Sequence, residues 1–271
     1  MKHLLFLFTF STFLAGNNFA SNGNYIIGAR AAGMGNITSV TSGFWSAQNN
    51  QAGLANYKNI SVGIYYENRF MIKALGLKAV GFVLPTKSGV FGLSYSNFGY
   101  SLYNENKIGL AYAKSFGENI SAGIQLDYLL THIDDDFKDK GVVTFEAGFQ
   151  AKLTKDICVG VHVFNPVNAK INDYNNERIP AVFKLGISYL ISKKILCLLE
   201  IEKVTAQKPT IKAGMEYKIL EKAYVRMGFM SDPVTFTFGF GFKIKKLKFD
   251  MASSYHQVLG FSPKVSAIYD L

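Results

Sequence analysis

The stretch Val234-Thr-Phe-Thr-Phe-Gly-Phe-Gly-Phe-Lys-Ile244 separates into two chemically different sets when every second residue is taken. Val234, Phe236, Phe238, Phe240, Phe242 and Ile244 are all large and apolar, whereas Thr235, Thr237, Gly239, Gly241 and Lys243 are small, hydroxylated or charged. A period of two places these sets on opposite faces of one β-strand. A soluble sandwich buries such an apolar face in its core. Two features point elsewhere. The stretch has the length of a tilted membrane-crossing strand, roughly 9–11 residues, and the same alternation recurs along most of the chain. The reading is all-β: a transmembrane antiparallel up-and-down β-barrel of about fourteen strands, apolar set toward lipid and polar set toward the lumen.

Working outward, Ile120, Ala122, Ile124, Leu126 and Tyr128 alternate with Ser121, Gly123, Gln125 and Asp127. Val143, Phe145, Ala147 and Phe149 alternate with Thr144, Glu146, Gly148, Gln150 and Lys152, and Ile211, Ala213, Met215 and Tyr217 with Lys212, Gly214, Glu216 and Lys218. Strands are expected from 59–67 through to 262–271, including 156–165, 179–191 and 194–203. Ile195 to Leu199 is apolar on both faces, so its register stays open. The connections alternate between short ones (near 86–87, 116–117, 155, 192–193, 220–221 and 245) and mostly longer ones (near 67–72, 99–104, 132–141, 166–178, 204–207, 231–232 and 256–261). Bacterial barrels have short periplasmic turns and longer outer loops, so both termini are expected in the periplasm. Prolines 85, 166, 180, 209, 233 and 263 fall at strand ends or in loops, as expected of a residue that cannot donate to a ladder.

The chain has 271 residues and a formal charge of +10, with Lys and Arg scattered over strands and turns. A nucleic-acid surface needs a clustered basic patch or stripe, so no nucleic-acid partner is expected. Cys158 and Cys197 fall on strands separated by another, which predicts free thiols. His162 shares a face with Cys158 but lies about 13 Å along the strand, too far to share a metal. At the N-terminus, Lys2, His3 and the apolar run Leu4 to Leu14 read as a signal peptide over residues 1–20 with Ala20 at the cleavage point; an uncleaved anchor is the alternative. An exported chain with lipid-type strands is expected in the cell outer membrane, where a closed barrel leaves no unpaired edge in lipid.

Residues 21–56 do not alternate. They read as a folded N-terminal hatch ahead of a barrel over 57–271, with a disordered leader as the alternative. Gly28-Ala-Arg-Ala-Ala-Gly-Met-Gly35 is small and glycine-rich, suited to close packing and sharp turns, and Ile26, Ile27, Phe44, Trp45 and Leu54 supply apolar groups to bury. That segment, followed by Asn50-Gln-Ala-Gly-Leu-Ala55 and the run of strands, resembles outer-membrane barrels of the FadL type, and most closely the PorV/PorQ-type branch associated with type IX secretion. Val161-His-Val-Phe-Asn-Pro166 and Leu259-Gly-Phe-Ser262 are similar to the family as well. The resemblance implies a fourteen-stranded barrel with an N-terminal hatch inside it. FadL-type members pass hydrophobic molecules; PorV-type members are accessory barrels that work with a secretion translocon and its cargo. The commonest family motif is Asn-Pro-Ala-Gly, and here Gln51 stands in place of the proline. The outer loops are also short for the family. Candidate hatch residues are Gly28, Arg30, Gly33, Gly35, Asn50, Ala52 and Gly53.

No nucleophile elbow, zincin pair or phosphate-binding glycine loop is present, and no enzyme activity, cofactor or metal is expected. His132 beside Asp134, Asp135 and Asp136 could be read as a hydrolytic or Ca²⁺ cluster, but lacks the spacing of an EF-hand loop and reads as a solvated loop. The lumen is expected to receive Asp127, Glu146, Lys152, Lys184, Lys212, Glu216, Arg226, Lys243, Lys248 and Asp250. Charges of both signs on neighbouring strands suit a wall that pairs with itself or with a hatch, and Arg30 is expected to meet an acid on that wall. Two functions follow. An accessory or structural barrel in protein secretion would present an apolar rim to a large partner. A passive transporter of small hydrophobic solutes would hold an apolar pocket through the hatch. Few large apolar residues beyond Leu129, Phe164 and Leu190 are assigned to the lumen, which favours the first.

Overall fold

The computed structural model describes residues 24–133, 139–172 and 177–271. Fourteen antiparallel strands form one closed barrel. They are β1 Ser61–Asn68, β2 Gly76–Pro85, β3 Val90–Gly99, β4 Tyr103–Phe116, β5 Ile120–Ile133, β6 Lys140–Lys152 and β7 Ile157–Phe164. They continue with β8 Val182–Ser192, β9 Ile195–Val204, β10 Thr210–Leu220, β11 Ala223–Ser231, β12 Val234–Ile244, β13 Leu247–His256 and β14 Gly260–Asp270. Every strand pairs with its neighbours in sequence, and β14 closes on β1 from Ser61↔Asp270 to Glu67↔Lys264. Closure removes both sheet edges, as hydrocarbon surroundings require.

The quoted stretch is β12, and its two sets part as the period demands. Phe238 and Phe240 are 54% and 63% exposed on the outer face, whereas Thr237 is fully buried on the inner one. Short turns at 117–119, 193–194, 221–222 and 245–246 gather at one end. The longer connections, among them 69–75 and 165–181, gather at the other. The longest contains a small ribbon, Lys170–Asn172 with Glu177–Arg178. The expected strand 156–165 ends one residue early, because Asn165 takes a positive φ of 49° and turns its side chain inward onto Thr144 and the Ile179 carbonyl. The open register of Ile195 to Leu199 resolves with Leu198 and Glu200 inward and Leu199 and Ile201 outward. Cys158 and Cys197 are free.

The N-terminal segment runs through the barrel interior. Tyr25 meets Glu105 near the long-loop end, and Tyr57 meets Asp270 at the short-turn end. Between them lie a one-turn helix, α1 (Ala29–Ala32), and two 3₁₀ turns, Phe44–Ala47 and Gln51–Leu54. One side is apolar: Ile27, Phe44, Trp45 and Leu54 pack on Leu77, Val83, Val90 and Ile268 of the wall. The other is polar and ion-paired. Inward-facing glycines make room for it. A Cβ on Gly33 would lie 3.0 Å from the Gly239 Cα, and one on Gly123 would lie 2.7 Å from the Gln51 carbonyl carbon. Backbone therefore packs on backbone, which only glycine permits at this spacing.

Candidate functional site

The interior contacts include three ionic networks that reach the segment, and a cavity lies beside the first of them. In the first network, Arg30 on α1 grips Glu216 of β10 with two hydrogen bonds, Nε to Oε2 at 2.9 Å and Nη2 to Oε1 at 2.8 Å. Its remaining Nη1 donates to the Ser42 carbonyl. Arg226 of β11 donates through Nε to the same Glu216 at 2.6 Å and through Nη1 to Asp250 of β13 at 2.7 Å. The Glu216 carboxylate raises the Arg30 pKa above its already high ordinary value, so Arg30 is a permanent cation. Fork-shaped arginine–carboxylate pairing fixes orientation as well as charge.

The second network centres on Glu146 of β6. Lys107 of β4 pairs with it directly and approaches Asp127 of β5 at 3.6 Å. His162 of β7 meets Glu146 at 2.8 Å. Gln51, the residue that departs from the family motif, donates through Nε2 to Glu146 at 2.9 Å and to Gln125 at 3.3 Å. In the third network Glu200 of β9 accepts from the Thr38 and Ser39 backbone N–H groups and the Ser39 hydroxyl, all within 2.9 Å. Lys212 of β10 bridges Glu200 and Glu202, and Lys184 of β8 reaches Glu202 at 3.7 Å and Thr38 at 3.3 Å. Each network joins the segment to a different arc of the wall. Only the first does so through an ion pair; in the other two the segment donates neutral N–H and O–H groups to the wall carboxylates Glu146 and Glu200, hydrogen bonds worth roughly 1.5–3 kcal/mol each.

The residues assigned to the segment lie together inside the barrel. Gly28 has φ +106°, and a Cβ there would meet the Trp45 ring at 2.7 Å; Gly35 has φ +69°. Asn50 caps the second 3₁₀ turn by accepting from the Ala52 N–H, and donates to the Val161 carbonyl of β7. Gly53 and Ala52 are buried in that turn, where a Cβ on Gly53 would sit 2.7 Å from the Thr41 carbonyl oxygen.

Of the ten wall residues, Asp127, Glu146, Lys184, Lys212, Glu216, Arg226 and Asp250 are buried in the networks. Lys248 is half-buried and pairs with Asp270 at 2.9 Å. Lys152 and Lys243 keep the expected face but join none of the networks. They share the inward parity but sit at the short-turn rim, exposed, with no ion pair among the described residues. Parity sets a face and not a depth.

Lys107, Glu200 and Glu202 were not singled out from the sequence, and His162 and Gln51 were noted there without a place in the lumen, although all five complete these networks. Alternation carried a signal for Lys107, two residues from Gly109 on the inward set. For Glu200 and Glu202 the signal was hidden behind the doubly apolar run before them. Asp134, Asp135 and Asp136, read as a solvated loop, lie outside the described residues. His132 pairs there with Asp139 at 2.6 Å, exposed. Among the described residues no three His, Cys, Asp or Glu side chains are placed to hold a metal ion together.

A cavity of about 350 Å³ remains between the segment and the β10–β14 wall. Ile27, Phe44, Trp45, Tyr57 and Ile268 line one part of it, and Arg30, Glu216, Arg226, Asp250, Lys243 and Lys248 another. Lys243 and Lys248 flank the 245–246 turn, so the cavity opens toward the short-turn end. Burial raises the pKa of the Tyr57 hydroxyl at its edge, which keeps that group a neutral donor.

No family model and no curated protein matches the chain. Solved structures do. The toluene transporter TodX of Pseudomonas putida superposes with a TM-score of 0.66 at 11% identity, over 89% of this chain and 96% of that one. The Ralstonia pickettii toluene transporter TbuX gives 0.63 at 12%, over 89% and 96%. A FadL homologue of Pseudomonas aeruginosa gives 0.61 at 12%, over 89% and 98%. The chain has the fold of the FadL-type outer-membrane barrels.

Proposed function

We propose that this protein is an outer-membrane barrel that passes small hydrophobic molecules, with residues 24–56 acting as a hatch inside the lumen. The observation that carries this reading is the partly aromatic cavity between segment and wall, open at the short-turn end. A simple aqueous porin would leave its lumen free. Here the segment occupies it, and a cavity left beside the segment is lined in part by Phe44, Trp45 and Tyr57. The fold shared with toluene transporters supports the same class of cargo. On this reading the short-turn end faces the periplasm, as in bacterial barrels generally. Lipid covers the outer belt of Phe236, Phe238 and Phe240, and residues 1–20 serve as a cleaved export signal. The test is protein-dependent passage of toluene into vesicles with a lipopolysaccharide outer leaflet, through which apolar solutes cross slowly. Uptake above that of empty vesicles is expected. Uptake equal to them refutes the reading.

A second reading is an accessory barrel of the PorV/PorQ type, which binds a secretion translocon or its cargo. One observation favours it. Met71, Ile72, Tyr100, Leu102, Val258 and Leu259 are exposed on long-end loops that flank the neighbouring strands β13, β14 and β1 to β4. Gentle detergent extraction from native membranes separates the two. A stoichiometric large partner supports the accessory role, and a lone barrel carrying hydrophobic solute or lipid supports transport.

A further inference from the structure

The cavity at the short-turn end has an excess of positive charge that its own wall does not satisfy. Four cations line it, Arg30, Arg226, Lys243 and Lys248, against two acids, Glu216 and Asp250. Assigning Asp270 to Lys248, with which it pairs at 2.9 Å, still leaves one cation in excess. Three of the four oxygens of those two acids are also occupied. Both Glu216 oxygens take arginine N–H groups, and Asp250 Oδ1 takes another. Lys243 has no ion pair among the described residues, and it stands at the mouth. Charged donors outnumber charged acceptors in a space whose remaining lining mixes aromatic and aliphatic groups with the neutral polar Thr41, Ser42, Ser46 and Asn49. At about 350 Å³ it lies near the small end of ligand pockets, roughly 300–1,000 Å³. It therefore suits a compact body and not an extended acyl chain.

We propose that this cavity is a binding site for a compact amphipathic monocarboxylate, one aromatic ring or short acyl chain with a single carboxylate, reached from the short-turn end. The carboxylate takes the unused donors beside Lys243 and Arg226, and the apolar body packs against Phe44, Trp45 and Tyr57. The inference rests on the reading that the barrel handles small molecules, and it narrows that class to anions at this one site.

Trp45 is the only tryptophan in the chain and lines the cavity, so its emission reports occupancy directly. The full-length protein in detergent is titrated with benzoate, benzyl alcohol and benzylamine, by calorimetry and by Trp45 fluorescence. The three probes share a ring and differ in charge. Benzoate is expected to bind about tenfold tighter than benzyl alcohol, as a charge-assisted contact permits, and benzylamine more weakly than either. Lys243→Gln, at the exposed rim and outside the ion pairs of the buried networks, is expected to weaken benzoate several-fold and leave benzyl alcohol unchanged. Equal binding of benzoate and benzyl alcohol, or preference for benzylamine, overturns the anion site while leaving hydrophobic transport standing. No binding of any probe, with toluene passage into vesicles intact, overturns the cavity as a site. Benzoate binding with no toluene passage upholds the site and removes the transport reading instead.

Discussion

Arg30 carries the clearest consequence of the geometry. It is the one cation of the N-terminal segment that forks onto a wall carboxylate, and Glu216 also has Arg226. Removing Arg30 therefore leaves Glu216 paired and the wall intact, while the segment loses hydrogen bonds to a charged group, roughly 1.5–3 kcal/mol each before relaxation. Arg30→Ala is expected to keep the barrel folded, with unchanged heat-modifiable migration on gels, and to raise ion conductance in planar bilayers. Unchanged conductance would mean that Arg30 is no latch. Gln51 makes a second case. It occupies the first position of a 3₁₀ turn capped by Asn50, where proline is tolerated. Gln51→Pro is expected to preserve the turn and to lose only the donor to Glu146 and Gln125. Because Glu146 retains Lys107 and His162, the expected loss is small, about 1 kcal/mol in denaturant unfolding. A loss several times larger would show that Gln51 replaces the motif's proline as a structural pin.

Strands were the most legible elements, and β12 shows why. Its alternation is uninterrupted over Val234–Ile244, and each face has one chemistry, so period, register and environment agree. In β9 the run Ile195 to Leu199 has apolar groups on both faces. Its inward members pack on the segment: Leu198 joins Met34, Ile37 and Val40 in a buried cluster. A lumen filled by protein accepts apolar side chains as readily as lipid does, so hydropathy alone could not orient that strand or find Glu200 and Glu202 behind it. Depth along a strand was equally hidden, so nothing in the alternation separates Lys152 and Lys243, at the rim, from the charges that pair deeper inside. The outward face of β12 gives a direct test. Phe238 lies near the middle of its strand and is exposed outward. Phe238→Arg is expected to destabilise the barrel by about 2–4 kcal/mol in reversible unfolding from lipid vesicles, and Phe242→Arg, near the rim, by about 0–1 kcal/mol. Equal costs at the two depths would contradict a membrane belt centred on Phe238.

The molecule joins two structures with different demands. The barrel wall is a closed ladder whose hydrogen bonds are complete without the segment. Much of its ionic pairing is also wall to wall: Lys212 with Glu200 and Glu202, Arg226 with Asp250, and Lys107 with Asp127 and Glu146. The segment depends on the wall, since its elements are single turns, too short to persist alone. Barrels of sixteen to eighteen strands leave an aqueous channel and those of eight are filled by their own side chains. A fourteen-stranded wall whose inner face is rich in glycine lies toward the open end of that range, and the segment occupies its interior. Intact protein in planar bilayers is therefore expected to conduct little. A variant lacking residues 24–56, with the signal sequence joined directly to residue 57, is expected to insert as a barrel and to conduct as an open pore. Low conductance after that deletion, in a variant that still shows heat-modifiable migration, would mean that the wall's own side chains or loops occlude the lumen. High conductance in the intact protein would mean that ions bypass the segment, and residues 24–56 would then be a lining and not a hatch.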